Sequence, residues 1–106
     1  MQFEKLHPPA EGNPLRYEDG RCVAPSDPIL PFIEGDGVGP EIVAVARRVL
    51  DAAVERAYGR ERRLVWFELY AGGKAWERYG EWLPQDTLDA ISHFGIALKG
   101  PLTTPV

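Results

Sequence analysis

The chain has 106 residues and a formal net charge of -4, from 12 Lys plus Arg against 16 Asp plus Glu. That length suits one small domain, and the acidic balance argues against a nucleic-acid or anionic-membrane surface, since both need a basic field. The lone Cys22 closes no internal disulfide and suits a reducing cytoplasm. Only His7 and His93 could act as bases for it, and nothing places either beside it, so Cys22 reads as a structural or surface residue. Residues 1–10 hold no apolar signal-peptide core, and no apolar run approaches the ~18–20 residues of a membrane span.

Residues 1–28 carry five of the ten prolines and read as an extended arm outside the core. Within the arm, Leu15–Val23 surrounds Asp19-Gly20, a dipeptide suited to a type I′ turn with positive φ at both central positions. A short hairpin is expected there, with Tyr17 and Cys22 near its ends. The texture changes at Ile29. Ile29–Ile33 is a short apolar run that reads as a strand, although Pro31 lacks a ladder donor and prefers an edge. After the loop Glu34–Gly39, Pro40 suits the first helical position. Ile42, Val45, Ala46, Val49, Ala53 and Ala57 then recur at helical spacing and form the expected buried face of a helix to about Tyr58, with Gly59 as C-cap. Arg56, Arg60, Arg62, Arg63 and Lys74 are interleaved with Glu55, Glu61 and Glu68 and read as a solvated face.

Leu64–Tyr70 reads as a second strand and Lys74–Tyr79 as a short helix. Pro84 opens another helix to about Ser92, with Leu88 and Ile91 on its buried side, and Phe94–Leu98 reads as a third strand. This βαβαβ rhythm predicts an α/β domain over residues 29–106 with a parallel, buried sheet.

Two segments can carry chemistry. The first is E-G-D-G-V-G-P-E, Glu34 to Glu41. A dinucleotide fingerprint needs glycine where this chain has Pro40, and an acidic residue about 20 positions on at the end of the second strand. Glu55 has the spacing but lies mid-helix, and Glu68 lies too far on. A turn at the carboxyl edge of the sheet fits better, and with Asp36 in it an adenosine end is easier to accommodate than phosphates. Glu34 and Asp36 can serve acid–base or metal chemistry, but turn and capping roles fit the loop better. The second segment is L-K-G-P-L-T-T-P, residues 98–105. Here Lys99 can balance a phosphate or carboxylate, and the hydroxyls of Thr103 and Thr104 can donate or accept. It is equally open that Lys99 is solvated and the threonines cap a later helix. Trp66, Trp76 and Trp82 read as core or interface residues, and the histidines have no partner at metal-ligand spacing.

With these motifs in view, the chain resembles the isocitrate and isopropylmalate dehydrogenase superfamily. P-F-I-E-G-D-G-V-G-P-E and the helix with V-L-D-A-A-V-E-R-A-Y are similar to its opening. A-L-K-G-P-L-T-T-P, W-L-P-x-x-T-L-D and the N-terminal arm look like its bacterial NADP-dependent isocitrate branch. The resemblance implies the N-terminal βαβαβ part of a three-layer α/β fold, preceded by the hairpin-bearing arm. It also implies a cytoplasmic homodimer that oxidises and decarboxylates isocitrate with NADP and Mg²⁺ or Mn²⁺. By resemblance, Thr103 and Thr104 lie beside the nicotinamide end of NADP, Lys99 at the edge of that pocket and Val38 near the adenine end. The family's substrate-binding, catalytic and metal-binding residues follow the T-T-P element, so the metal ligands are expected beyond this chain. The 106 residues alone are therefore expected to be inactive. The alternatives are a related dehydrogenase for isopropylmalate or homoisocitrate, and a non-catalytic α/β binding module.

Overall fold

A computed structural model describes residues 3–102. In chain order it contains β1 (Arg16–Glu18), β2 (Arg21–Val23), β3 (Ile29–Ile33), α1 (Gly39–Tyr58), β4 (Val65–Leu69), α2 (Gly73–Tyr79), α3 (Gln85–Phe94) and β5 (Leu98–Lys99). The arm forms the expected antiparallel hairpin: Tyr17 pairs with Cys22, and φ is 50° at Asp19 and 75° at Gly20. The hairpin docks on the end of α3, where the Tyr17 hydroxyl donates to the Gly95 carbonyl at 3.2 Å.

The three remaining strands form one parallel sheet in the order β4-β3-β5. Pro31 therefore lies in the central strand, not at an edge. Its orientation explains why it is tolerated. Pro28 accepts from Val65 on β4, whereas Ile33 accepts from Gly100 on the β5 side. Main-chain groups alternate along a strand, so Pro31 shares the orientation of Ile33 and its missing N–H faces β5. Pairing with β5 begins only at Phe32, which leaves a strand of two residues where five were expected. The expected third strand, Phe94–Leu98, is corrected accordingly. Phe94 ends α3, Gly95 stops the helix in the left-handed conformation, and its N–H donates to Ile91.

Alternation also sorts the side chains into two faces. Ile29, Ile33, Val65, Phe67 and Leu69 pack with Ala90 and Phe94 of α3. The Phe67 and Phe94 rings meet edge to face at 5.8 Å. Leu6 is buried in the same cluster, with Phe3 packed against it, so this part of the arm is a core element after all. The reason is a carboxylate: Asp86, at the start of α3, accepts the backbone N–H groups of Glu4, Lys5 and Leu6 at 3.2, 2.6 and 3.2 Å. The opposite face carries Phe32 and Trp66, edge to face at 5.8 Å. Arg47 of α1 lies 4.1 Å above the Phe32 ring, an attractive placement for a guanidinium.

Two helix faces differ from expectation. On α1 the expected apolar stripe is largely exposed: Ile42 is 55%, Val45 57% and Val49 61% accessible. Val43 is buried and Ala46, Arg47 and Val54 are partly buried; of these four only Ala46 belongs to the expected stripe. Apolar spacing located the helix but not its buried side, because α1 carries apolar residues around much of its circumference. On α3, Leu88 is exposed, while Thr87, Ala90 and Phe94 are buried. A polar residue is tolerated at position 87 because its hydroxyl donates to the Tyr70 carbonyl at 2.6 Å.

Candidate functional site at the carboxyl edge of the sheet

The chain leaves β3 through α1 to reach β4 on one side, then passes α2 and α3 to reach β5 on the other side. The β3/β5 boundary is thus a topological switch point, and open α/β sheets bind ligands in the crevice beyond the carboxyl ends of such strands. Here that crevice is built from the loop Glu34–Val38 after β3 and from Gly100-Pro101 after β5. These are the two segments singled out by sequence.

The glycines hold the two segments together. A Cβ on Gly35 would lie 2.2 Å from the Pro101 carbonyl oxygen, and Gly35 also has φ +83°. A Cβ on Gly39 or Gly100 would lie 2.4 or 2.3 Å from the Glu34 carbonyl oxygen. The contact is backbone on backbone, joined by Asp36 N–H to Pro101 O at 2.8 Å and Gly100 N–H to Ile33 O at 2.9 Å. Gly37 differs: open space surrounds it, and only its φ of +60° favours glycine. The glycine pattern is therefore used for close approach between two loops.

The acidic residues of the loop face α2. Asp36 accepts from the backbone N–H of Gly73 at 3.0 Å and of Lys74 at 3.4 Å. α2 has no side-chain cap of its own at Gly72, so Asp36 supplies one from a distant part of the chain. This is the capping role favoured by the loop's composition, exercised on a different helix. Glu34 pairs with the Lys74 ammonium, which also binds Glu68 of β4 at 2.5 Å. The Lys74 hydrogen bond holds the Glu34 carboxyl below its usual range against the opposing effect of burial. Burial opposes the charge on Lys74, but its bonds to Glu34 and Glu68 prevail and raise its pKa. Lys74 is thus a half-buried bridge, which corrects its reading as part of a solvated face. Nothing local in the sequence signals this bridge, because α2 meets the ends of β3 and β4 only in the fold.

Val38 stands at the head of α1 and is 60% accessible. Lys99 ends β5 at the same edge, exposed, with Nζ donating to the Gly100 carbonyl at 3.1 Å. Both stand at the carboxyl edge of the sheet, on either side of the switch point. Thr103 and Thr104 lie outside the described residues. Trp76 and Trp82 stack at 5.2 Å on the surface, where they are 49% and 36% accessible, and so are not core residues. Among the described residues no group of three or more His, Cys, Asp or Glu is placed to hold a metal ion.

Three comparisons bear on this geometry. The family profile described as isocitrate/isopropylmalate dehydrogenase matches residues 29–106. An isocitrate dehydrogenase [NADP] of Archaeoglobus fulgidus is 54% identical over 106 residues, covering all of this chain and 25% of that protein. One from Staphylococcus aureus is 60% identical over 82 residues, covering 77% of this chain and 19% of that protein. The crystal structure of isocitrate dehydrogenase from Methylococcus capsulatus matches with a TM-score of 0.63 and 41% identity, over 74% of this chain and 21% of that one. The chain therefore spans about a quarter or less of the length of these relatives.

Proposed function

Since the chain belongs to the isocitrate/isopropylmalate dehydrogenase family, we propose that it is the N-terminal portion of an NADP-dependent isocitrate dehydrogenase. The parent reaction is oxidation of the isocitrate hydroxyl by hydride transfer to NADP, followed by loss of CO2 to give 2-oxoglutarate, a step of the tricarboxylic acid cycle. The observation that carries this reading is the 54% identity, across the whole chain, with a relative named for that activity.

Within this reading, residues 1–28 are an arm with a hairpin and residues 29–106 begin the large α/β domain. Val38 lies near the adenine end of NADP, Lys99 stands at the edge of the nicotinamide pocket, and Thr103 and Thr104 lie beside the nicotinamide. The exposed placement of Val38 and Lys99 at the carboxyl edge of the sheet supports this assignment, as does a loop in which Gly35 and Gly39 are filled by backbone rather than held open for a phosphate. A bound Mg²⁺ or Mn²⁺ supplies Lewis acidity to the parent reaction. The described residues do not fit such an ion; in this proposal its ligands are supplied by the rest of the parent. The parent is a cytoplasmic homodimer in this proposal, with no nucleic-acid or membrane partner. No described helix is long and apolar enough to cross a membrane.

The test is NADPH formation, with Mn²⁺ present, by the full-length polypeptide that contains these residues. Isocitrate is expected to be the preferred substrate over isopropylmalate and homoisocitrate; preference for either rival would overturn the assignment. The 106-residue chain alone is expected to show no turnover above background.

A further inference from the structure

Lys74 binds the loop after β3 in two ways. Its ammonium bridges Glu34 and Glu68, and the start of its helix, at the N–H groups of Gly73 and Lys74, is held by Asp36. Glu34 and Asp36 flank Gly35, the residue that fits beneath the Pro101 carbonyl. Asp36 in turn donates its own N–H to that carbonyl, and Val38 follows two residues later. The position of Lys74 is therefore transmitted through Glu34 and Asp36 to the loop that carries Val38 and to the segment after β5.

The electrostatics give the bridge its leverage. Glu34 and Glu68 converge on one ammonium, and Arg47, the other cation acting on Glu34, contributes less. Without the Lys74 charge, two partly buried carboxylates face one another, and like charges at such separations repel. Glu68 is fixed in a strand paired with β3, whereas Glu34 lies just beyond the end of β3. The loop is the part that yields.

We propose that Lys74 is a positioning residue for the cofactor-binding loop, acting through Glu34 and Asp36 to set the place of Val38 and of the Gly100-Pro101 segment. This rests on the reading of that crevice as the NADP site. In the full-length parent, Lys74→Met is expected to raise KM for NADP about tenfold, with kcat and KM for isocitrate within about threefold of wild type. Lys74→Arg keeps a cation and is expected to recover most of the loss, as is Glu68→Gln added to Lys74→Met, which removes the repulsion. A fall in kcat with KM for NADP unchanged would overturn the proposal, and so would an unchanged enzyme.

Hydrogen exchange on the full-length parent tests the mechanical part without relying on activity. The Asp36 and Gly39 amides, bonded to the Pro101 and Asp36 carbonyls, are expected to exchange about tenfold faster in Lys74→Met, with the α1 interior unchanged. Equal exchange in variant and wild type would refute positioning by Lys74. If the wild-type parent fails to reduce NADP, the cofactor reading falls while the exchange result still decides the role of Lys74.

Discussion

The carboxylate of Asp86 is expected to decide whether residues 3–6 are docked or detached. Asp86 is 8% accessible and accepts three backbone N–H groups from Glu4, Lys5 and Leu6. Docking orders residues 3–6, at about 1–2 kcal/mol of backbone entropy per residue. Burying Leu6 returns only about 2 kcal/mol, which does not cover that cost. Hydrogen bonds to a charged acceptor contribute about 1.5–3 kcal/mol each, and three of them tip the balance. Asp86→Ala is therefore expected to release the segment and lower stability by about 2–4 kcal/mol, limited by the docking energy itself.

Trypsin provides the assay, because cleavage after Lys5 needs a local backbone that can leave the core. The variant is expected to be cut at Lys5 at least about tenfold faster than wild type. A pH series supplies the sign. Burial opposes ionisation of Asp86, but the three N–H bonds outweigh it and hold its pKa below the ordinary aspartate value of 3.8. The lowered folded pKa means that its stabilisation is complete above 3.8 and is lost as pH falls through the folded pKa. The stability gap between wild type and Asp86→Ala should be constant near neutrality and close in stronger acid. Equal cleavage rates, or a gap indifferent to acid, would refute the reasoning.

Gly35→Ala should cost more than about 2 kcal/mol, since it adds left-handed strain to a contact with the Pro101 oxygen. Gly37→Asn, with open space and a φ that asparagine adopts readily, should cost about 1 kcal/mol or less; urea melts of the two variants give the comparison, and equal losses would contradict the backbone-packing account. Thr87→Val keeps the shape but leaves the Tyr70 carbonyl without its 2.6 Å donor. It should lower stability by about 1–3 kcal/mol, read as a shift in the denaturation midpoint at constant slope. Gly20→Ala should unpair the hairpin at a cost of about 1 kcal/mol, seen as faster exchange of the 16–23 amides with the sheet unaffected.

Element type was legible where one local signal dominated. Asp19-Gly20 encoded its turn, and the apolar runs at 29–33 and 64–70 encoded strands. Pro40 and Gly59 marked the ends of α1. Burial was less legible, because it depends on neighbours. The Ile42–Val45–Val49 stripe obeys helical spacing and is mostly exposed, while Thr87 breaks the apolar pattern and is fully buried with its hydroxyl satisfied. Pro31 argued for an edge, but in a parallel strand a missing donor matters only on the side it faces, and β5 begins just beyond it. Lys74 and Asp86 were invisible as structural residues because Glu34 lies 40 positions from Lys74 and the arm's amides about 80 from Asp86.

The glycine loop shows the same division between pattern and cause. Spacing alone says that backbone must come close to something, and a pyrophosphate is the familiar partner. Pro40 weakened that reading, and the fold supplies the partner: the chain's own backbone at Gly100-Pro101. Because Gly35 and Gly100 are filled by that contact and Gly39 by the Glu34 carbonyl, this edge is shaped by how the two loops interlock and by the groups projecting from them. Val38 and Lys99 project from that interlocked backbone at the edge proposed to take the cofactor. Lys74 lies behind that backbone, bound to the carboxylates that hold it, so it can alter ligand affinity from a distance.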